Sequence, residues 1–129
     1  MIVVDASALL DALLGEDGER SRGRLVEDGD LHAPHLLDLE VLQVLRRLAQ
    51  RGHITAGRAA EARADAAELV IQRYPHAPLA DRIWELRANA TAYDAAYLAL
   101  AEVLAVPLVT CDARLKATPG HRAVIQVIA

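Results

Sequence analysis

The sequence has few cysteines, few lysines and no long apolar runs, and each shortage argues against a class of protein. Cys111 is the only cysteine and cannot form an internal disulfide, which is typical of a protein of the reducing cytoplasm. No apolar run reaches the roughly 18 to 20 residues that span a bilayer. No basic segment leads into an apolar stretch, so we expect no secretory signal. We therefore predict a cytoplasmic protein with no membrane partner.

Several enzyme motifs are also missing. There is no C-x-x-C or H-E-x-x-H for zinc, and no G-x-x-x-x-G-K-[ST] for a P-loop nucleotide hydrolase. A phosphoacceptor domain of the response-regulator type needs paired acids after its first strand and a lysine after a late strand. Here Asp5 has no acidic neighbour, and Lys116 is the single lysine, in a different setting. A haloacid-dehalogenase-like phosphatase would have an aspartate where this chain has Ser7.

Size and composition indicate one folded domain over residues 1–129. The chain is 53% hydrophobic, which is enough to build a core rather than a disordered segment. Its net charge of −4 argues against a broad nucleic-acid footprint, but it does not exclude a nuclease. If four of the 18 acids held a metal ion, the remaining 18 − 4 = 14 would balance the 14 basic residues.

The pattern of apolar residues predicts strands that alternate with helices. The predicted strands cover residues 2–5, 31–33, 107–110 and 123–128, with a short extended piece at 74–76. The predicted helices cover residues 7–14, 19–27, 35–51, 80–88, 91–105 and 113–117, with an alanine-rich helix from an N-cap at residue 55 to about residue 73. Continuous apolar strands between helices favour an α/β fold, with a mainly parallel sheet covered on both faces.

Two acids follow predicted strands directly. Asp5 comes after Ile2–Val4, and Asp112 comes after the strand that ends near Thr110. In open α/β sheets the sites form beyond the carboxyl ends of the strands, so these two side chains are expected to lie close together. Each acid has a second interpretation, as the N-cap of the helix that follows it. For either residue alone, capping is the simpler explanation.

A third acid lies beside the apolar stripe of a helix. Asp94 shares its helix face with Tyr97, which is three residues further on. A buried carboxylate without a partner is costly, and this favours a functional role. The alternative is a capping box, with Thr91 as the N-cap and Asp94 as its third helical residue.

The long helix near residue 40 supplies a fourth candidate. Asp38 falls in the first turn, where an acid suits the helix dipole. Glu40 lies further in and lacks that explanation, although a surface ion pair with Arg47 would be an ordinary role for it. Periodicity alone does not choose between the two acids.

Taken in order, these stretches resemble the acidic motifs of PIN domains. They are D-A-S at residues 5–7, L-E-V-L at 39–42, T-A-Y-D-A-A-Y at 91–97 and L-V-T-C-D at 108–112. The length of the chain is similar to that of the VapC-type ribonuclease toxins. The resemblance implies a three-layer α/β/α sandwich, and it covers the chain apart from residues 52–89, which carry little of the pattern.

The resemblance also implies a site. Asp5, Glu40, Asp94 and Asp112 match the acidic quartet around a divalent metal, and Ser7 and Thr110 match hydroxyl groups that support it. Crowded carboxylates repel one another, and a hard cation with oxygen ligands relieves the repulsion, so we expect Mg²⁺, with Mn²⁺ as a substitute. In this interpretation Asp5 and Asp94 bind the metal most directly, Asp112 binds it or holds water, and Glu40 positions the attacking water.

By the same resemblance the substrate is RNA, the partner is a small VapB-like antitoxin, and the chain forms a homodimer. Water attack on phosphorus would leave a 5′-phosphate and a 3′-hydroxyl. Arg46 and Arg47 could contact RNA phosphates, or could form a solvated helix end placed favourably against the dipole. The competing hypothesis is a catalytically inactive PIN-like module that binds RNA or protein.

Overall fold

The computed structural model describes residues 1–128, and its centre is a five-stranded sheet. In spatial order the strands are β3-β2-β1-β4-β5, and every neighbouring pair is parallel. Their bounds are Ile2–Val4 for β1, Leu31–Pro34 for β2, Ile71–Tyr74 for β3, Leu108–Thr110 for β4 and Ile125–Val127 for β5. The predicted parallel α/β architecture is confirmed.

Helices cover both faces of this sheet. They are α1 (Ala6–Leu14), α2 (Glu19–Asp28), α3 (Leu36–Gln50), α4 (Ala56–Glu68), α5 (Ala80–Glu85), α6 (Ala92–Leu104) and α7 (Ala113–Ala117), with a 3₁₀ turn at Ala77–Leu79. Because parallel crossovers are right-handed, α1–α4 lie on one face and α5–α7 on the other. Among residues 1–128, no helix is both long enough and apolar enough to cross a membrane.

The two central strands explain where the site forms. Strands β1 and β4 are almost inaccessible to solvent, since Ile2, Val3, Val4, Leu108 and Val109 are each 0% exposed. The chain moves outward from β1 in one direction through β2 and β3, and in the other through β4 and β5. In open α/β sheets, sites form beyond the carboxyl ends of the strands at the point where the direction reverses, which here is between β1 and β4. We call this position the crevice.

The prediction was wrong in the stretch that forms β3. The expected helix to about residue 73 ends at Glu68, and Ile71–Tyr74 pairs with β2 as an edge strand. Alanine-rich sequence favours continued helix, but Leu69 is already extended and the β-branched Ile71 is buried in the core. Of the extended piece expected at 74–76, only Tyr74 belongs to a strand, because β3 ends there.

The expected helix over residues 80–88 was too long. Helix α5 ends at Glu85, and a tighter turn follows. The Leu86 N–H donates to both Arg82 O and Ile83 O at 3.2 Å, and the Leu86 side chain is 2% exposed. Burying this leucine requires the chain to turn before α6.

Candidate metal centre

The carboxylate of Asp5 is held in place by hydrogen bonds to both of its oxygens. Its Oδ1 accepts from Ser7 Oγ at 2.6 Å and from the Ala8 N–H at 3.0 Å, and its Oδ2 accepts from Thr110 Oγ1. The residue is 6% exposed. The Ala8 contact makes it the N-cap of α1, so Asp5 is a cap that also presents a carboxylate at the tip of β1.

Two hydroxyl groups connect the ends of β1 and β4. Ser7 Oγ lies 3.2 Å from Thr110 Oγ1 and accepts from the Cys111 N–H at 2.9 Å. Thr110 Oγ1 accepts from the Asp112 N–H, also at 2.9 Å. The network holds the backbone that carries Asp112 next to Asp5.

Asp112 begins α7 and is paired with a cation. Its Oδ1 accepts from the Arg114 N–H at 3.0 Å, which makes it the N-cap of that helix. The Arg114 guanidinium donates to the same carboxylate, and this contact lowers the pKa of Asp112. Sequence reasoning had not singled out Arg114, and only its spacing of two residues from Asp112 hinted at the contact.

Glu40 and Asp94 approach from α3 and α6. The hydroxyl group of Tyr97, which is 2% exposed, donates to Glu40 Oε1 at 2.6 Å. Thr91 Oγ1 accepts from the Asp94 N–H at 3.1 Å, so Thr91 is the N-cap of α6 and Asp94 lies in its first turn. Tyr97 therefore connects α6 to Glu40, a role indicated in the sequence only by its spacing of three residues from Asp94.

The electrostatics of this cluster are those of crowded acids. Burial raises the pKa of Asp5, Glu40 and Asp94, and nearby negative charge raises each further. Asp112 acts on Asp5 and Asp94, while Asp5 and Asp94 act on Glu40. Four acids from separate parts of the chain thus share one electrostatic environment.

The donor set suits a hard cation. The four acids offer carboxylate oxygens, which Mg²⁺ prefers, and a positive charge would counter the raised pKa values of Asp5, Glu40 and Asp94. In the part of the chain that the structure describes, no three His, Cys, Asp or Glu side chains already form a chelating group. Tyr97 engages Glu40 and Arg114 engages Asp112. Mg²⁺ is usually held by one or two carboxylates together with water and phosphate, so the set remains suitable.

The two arginines of interest on α3 lie in different positions. Arg47 lines a cavity of about 280 Å³ together with Glu40 and Tyr93. Arg46 is exposed on the same helix. Arg47 is therefore the one placed beside an acid of the cluster.

Comparisons with known proteins identify the family of this chain. Residues 2–120 match the PIN domain family, and the chain is 48% identical over 128 residues to the VapC ribonuclease Mb0985 of Mycobacterium bovis, covering 99% of this chain and 98% of that protein. The chain belongs to the PIN-domain family of VapC ribonucleases.

Two solved structures share the fold of this PIN domain. Mycobacterium tuberculosis VapC20, described as a sarcin-ricin loop cleaving toxin, superposes with a TM-score of 0.67 at 19% identity, covering 96% of this chain and 98% of that one. VapBC2 of Rickettsia felis, bound to a DNA fragment from its promoter, gives a TM-score of 0.73 at 12% identity over 98% of both chains.

Proposed function

We propose that this PIN domain is a Mg²⁺-dependent endoribonuclease that acts as the toxin of a toxin–antitoxin pair. The observation that carries the proposal is the convergence of Asp5, Glu40, Asp94 and Asp112 at one crevice in a VapC-family chain. Divalent-metal dependence is the general property of PIN-domain nucleases, and the carboxylate donors favour Mg²⁺, with Mn²⁺ as a substitute.

The residues of the crevice have separate roles in this proposal. Asp5 and Asp94 hold the ion, Asp112 holds it or a bound water, and Glu40 orients and deprotonates the attacking water. When bound, the ion lowers the pKa of that water and offsets the charge on the phosphate oxygens. Ser7 and Thr110 keep the Asp5 carboxylate in place by donating to it. The products would carry a 5′-phosphate and a 3′-hydroxyl.

The partners in this proposal are RNA, a VapB-like antitoxin that covers the crevice, and a second copy of the chain. An antitoxin partner is supported by the fold shared with VapBC2. In this proposal Arg47, beside Glu40, would contact an RNA phosphate, and Arg46 would add a second cation near the C-terminal end of α3.

An inactive PIN-like module that binds RNA or protein is the second hypothesis. It would have no need for acids whose pKa values are raised by one another. The cost of crowding Asp5, Glu40 and Asp94 is explained if an ion is bound there, and this favours the nuclease.

A cleavage assay with charge-neutral variants tests the proposal. Single-stranded RNA is incubated with the wild type, Asp5→Asn, Asp94→Asn and the control Asp81→Asn, which removes an exposed acid on α5. We expect both crevice variants to lose at least about a hundredfold in kcat/KM, a loss of roughly 2.7 kcal/mol of transition-state stabilisation. The control should cleave like the wild type, and EDTA should abolish cleavage. Equal activity in all four proteins, or cleavage that survives EDTA, would refute the nuclease assignment.

A further inference from the structure

Both oxygens of one acid in the crevice are engaged by a single cation. Arg114 Nε donates to Asp112 Oδ1 at 3.0 Å, and Arg114 Nη2 donates to Asp112 Oδ2 at 2.8 Å. The Asp112 side chain is 26% exposed, whereas that of Arg114 is 89% exposed. The guanidinium therefore lies over the carboxylate from the solvent side.

This contact competes directly with an ion at the crevice. A divalent cation that uses an oxygen of Asp112 displaces at least one guanidinium hydrogen bond. Exposed ion pairs contribute little to stability, so the exchange costs little. The guanidinium also repels an approaching cation, and both effects weaken metal binding in the free protein.

The displaced guanidinium stays at the crevice. Arg114 is two residues from Asp112, and its charge also acts on Asp94 from α6, whose pKa it lowers. Once it is released from Asp112, its planar fork of donors suits a phosphate as well as it suits a carboxylate. The group that RNA brings to this crevice is a phosphate.

We propose that Arg114 is an exchangeable counter-ion, which pairs with Asp112 in the metal-free protein and binds an RNA phosphate when a divalent ion is present. The inference rests on the proposed function for the identity of the phosphate ligand. It makes Arg114 an RNA-binding residue. It also predicts that removing Arg114 strengthens metal binding and weakens RNA binding. If Arg114 had only a structural role, its removal would not change the two affinities in opposite directions.

Metal binding is tested by calorimetric titration of Mg²⁺ into the RNA-free protein. The variants are Arg114→Gln and Lys116→Gln, because Lys116 is an exposed cation on the same helix and its removal changes the net charge equally. We expect Arg114→Gln to bind Mg²⁺ about three- to fivefold more tightly than the wild type, and Lys116→Gln to stay within about twofold. Unchanged or weaker Mg²⁺ binding by Arg114→Gln would overturn the proposal.

RNA binding is tested by fluorescence anisotropy of a labelled single-stranded oligoribonucleotide in Ca²⁺, across a series of salt concentrations. We expect Arg114→Gln to bind about tenfold more weakly, with a slope of log K against log salt that is shallower by about 0.7. Arg114→Lys keeps the charge and should retain the slope while losing part of the affinity, since lysine lacks the fork.

The outcomes separate this inference from the proposed function. If the wild type cleaves RNA but Arg114→Gln binds it as Lys116→Gln does, the phosphate role of Arg114 is wrong and the nuclease stands. If the wild type cleaves no RNA, the nuclease proposal fails. In that case the Mg²⁺ titration still decides whether Arg114 competes with the ion at Asp112.

Discussion

Helix α6 carries two acids, Asp94 in its first turn and Glu102 in its last, and their electrostatic environments are opposite. Glu102 accepts from Arg82 Nε at 2.7 Å and from Arg82 Nη2 at 3.0 Å, and its Oε2 also accepts from the Arg122 N–H at 2.8 Å. These contacts lower the pKa of Glu102. The pKa of Asp94 is raised by burial and by the charge of Asp112, only partly offset by Arg114.

The difference separates an acid that stabilises the fold, Glu102, from one that we propose serves a site, Asp94. The two carboxylates stand eight residues apart, about 12 Å along one helix, so helix propensity does not separate them. Glu102 is satisfied by a bidentate arginine from α5. Asp94 faces other acids and is stabilised by whatever positive charge enters the crevice. The raised pKa of Asp94, together with its position near the carboxyl ends of β1 and β4, is what favours a functional role for this acid.

The largest expected effect is a loss of stability when the charge of Glu102 is removed. The Glu102 side chain is 7% exposed and that of Arg82 is 23% exposed, so Glu102→Gln leaves a partly buried guanidinium with only the exposed Glu85 as a charge partner. We expect a loss of about 2 to 3 kcal/mol in the free energy of unfolding, measured by urea denaturation. Cleavage of RNA should persist at temperatures where the variant is folded.

The matched control for this variant is Glu85→Gln. Glu85 accepts a single bond from the same Arg82, at 2.9 Å, but its side chain is 63% exposed. Solvent screening should keep its loss below about 0.5 kcal/mol. If Glu102→Gln and Glu85→Gln lost the same free energy of unfolding, burial would not be what distinguishes the two partners of Arg82.

The sequence predicted the backbone positions of the site better than its side-chain partners. Asp5 and Asp112 follow strands whose carboxyl ends share a sheet edge, and this geometry depends only on topology. The contacts from Tyr97 to Glu40 and from Arg114 to Asp112 depend on side-chain rotamers, which the sequence pattern does not show. The roles of the four acids as metal ligands stay predictions.

The missed strand β3 has a similar cause. Its four residues follow an alanine-rich helix, so local propensity favoured more helix there. Pairing with β2 overrode this preference, and contacts between distant segments are not visible in a local pattern. The strand carries none of the four acids, so the error left the predicted site intact.

A smaller effect is expected from the pH dependence of stability in EDTA. A raised folded-state pKa means that Asp94 costs stability as pH rises above its unfolded value of about 3.9. Asp94→Asn should therefore be as stable as the wild type at low pH and more stable than the wild type at higher pH. The difference in the free energy of unfolding should stay below about 1 kcal/mol, because solvent screens the half-exposed carboxylate. Added Mg²⁺ should stabilise the wild type more than this variant.

Glu102 provides the opposite sign in the same experiment. Its lowered pKa means that its contribution is present above the unfolded value of about 4.3 and is lost as pH falls through the folded value. The difference in the free energy of unfolding between the wild type and Glu102→Gln should then shrink as the pH is lowered. The corresponding difference for Asp94→Asn should grow as the pH is raised. Parallel pH profiles for the two variants would contradict the comparison.

The smallest expected effect concerns the residues that cap the two ends of α6. Thr91 caps the start of α6, which ends at Leu104. The C-cap residue, Ala105, has φ 55°, in the left-handed region that costs an L-residue about 1 to 2 kcal/mol. Ala105→Gly removes that strain but makes the unfolded chain more flexible, so we expect a net gain of about 0.5 kcal/mol in urea denaturation. Ala60→Gly, at an exposed position inside α4, should lose about 0.5 to 1 kcal/mol instead. A loss in both variants would mean that the strain at Ala105 is smaller than the flexibility that glycine adds to the unfolded chain.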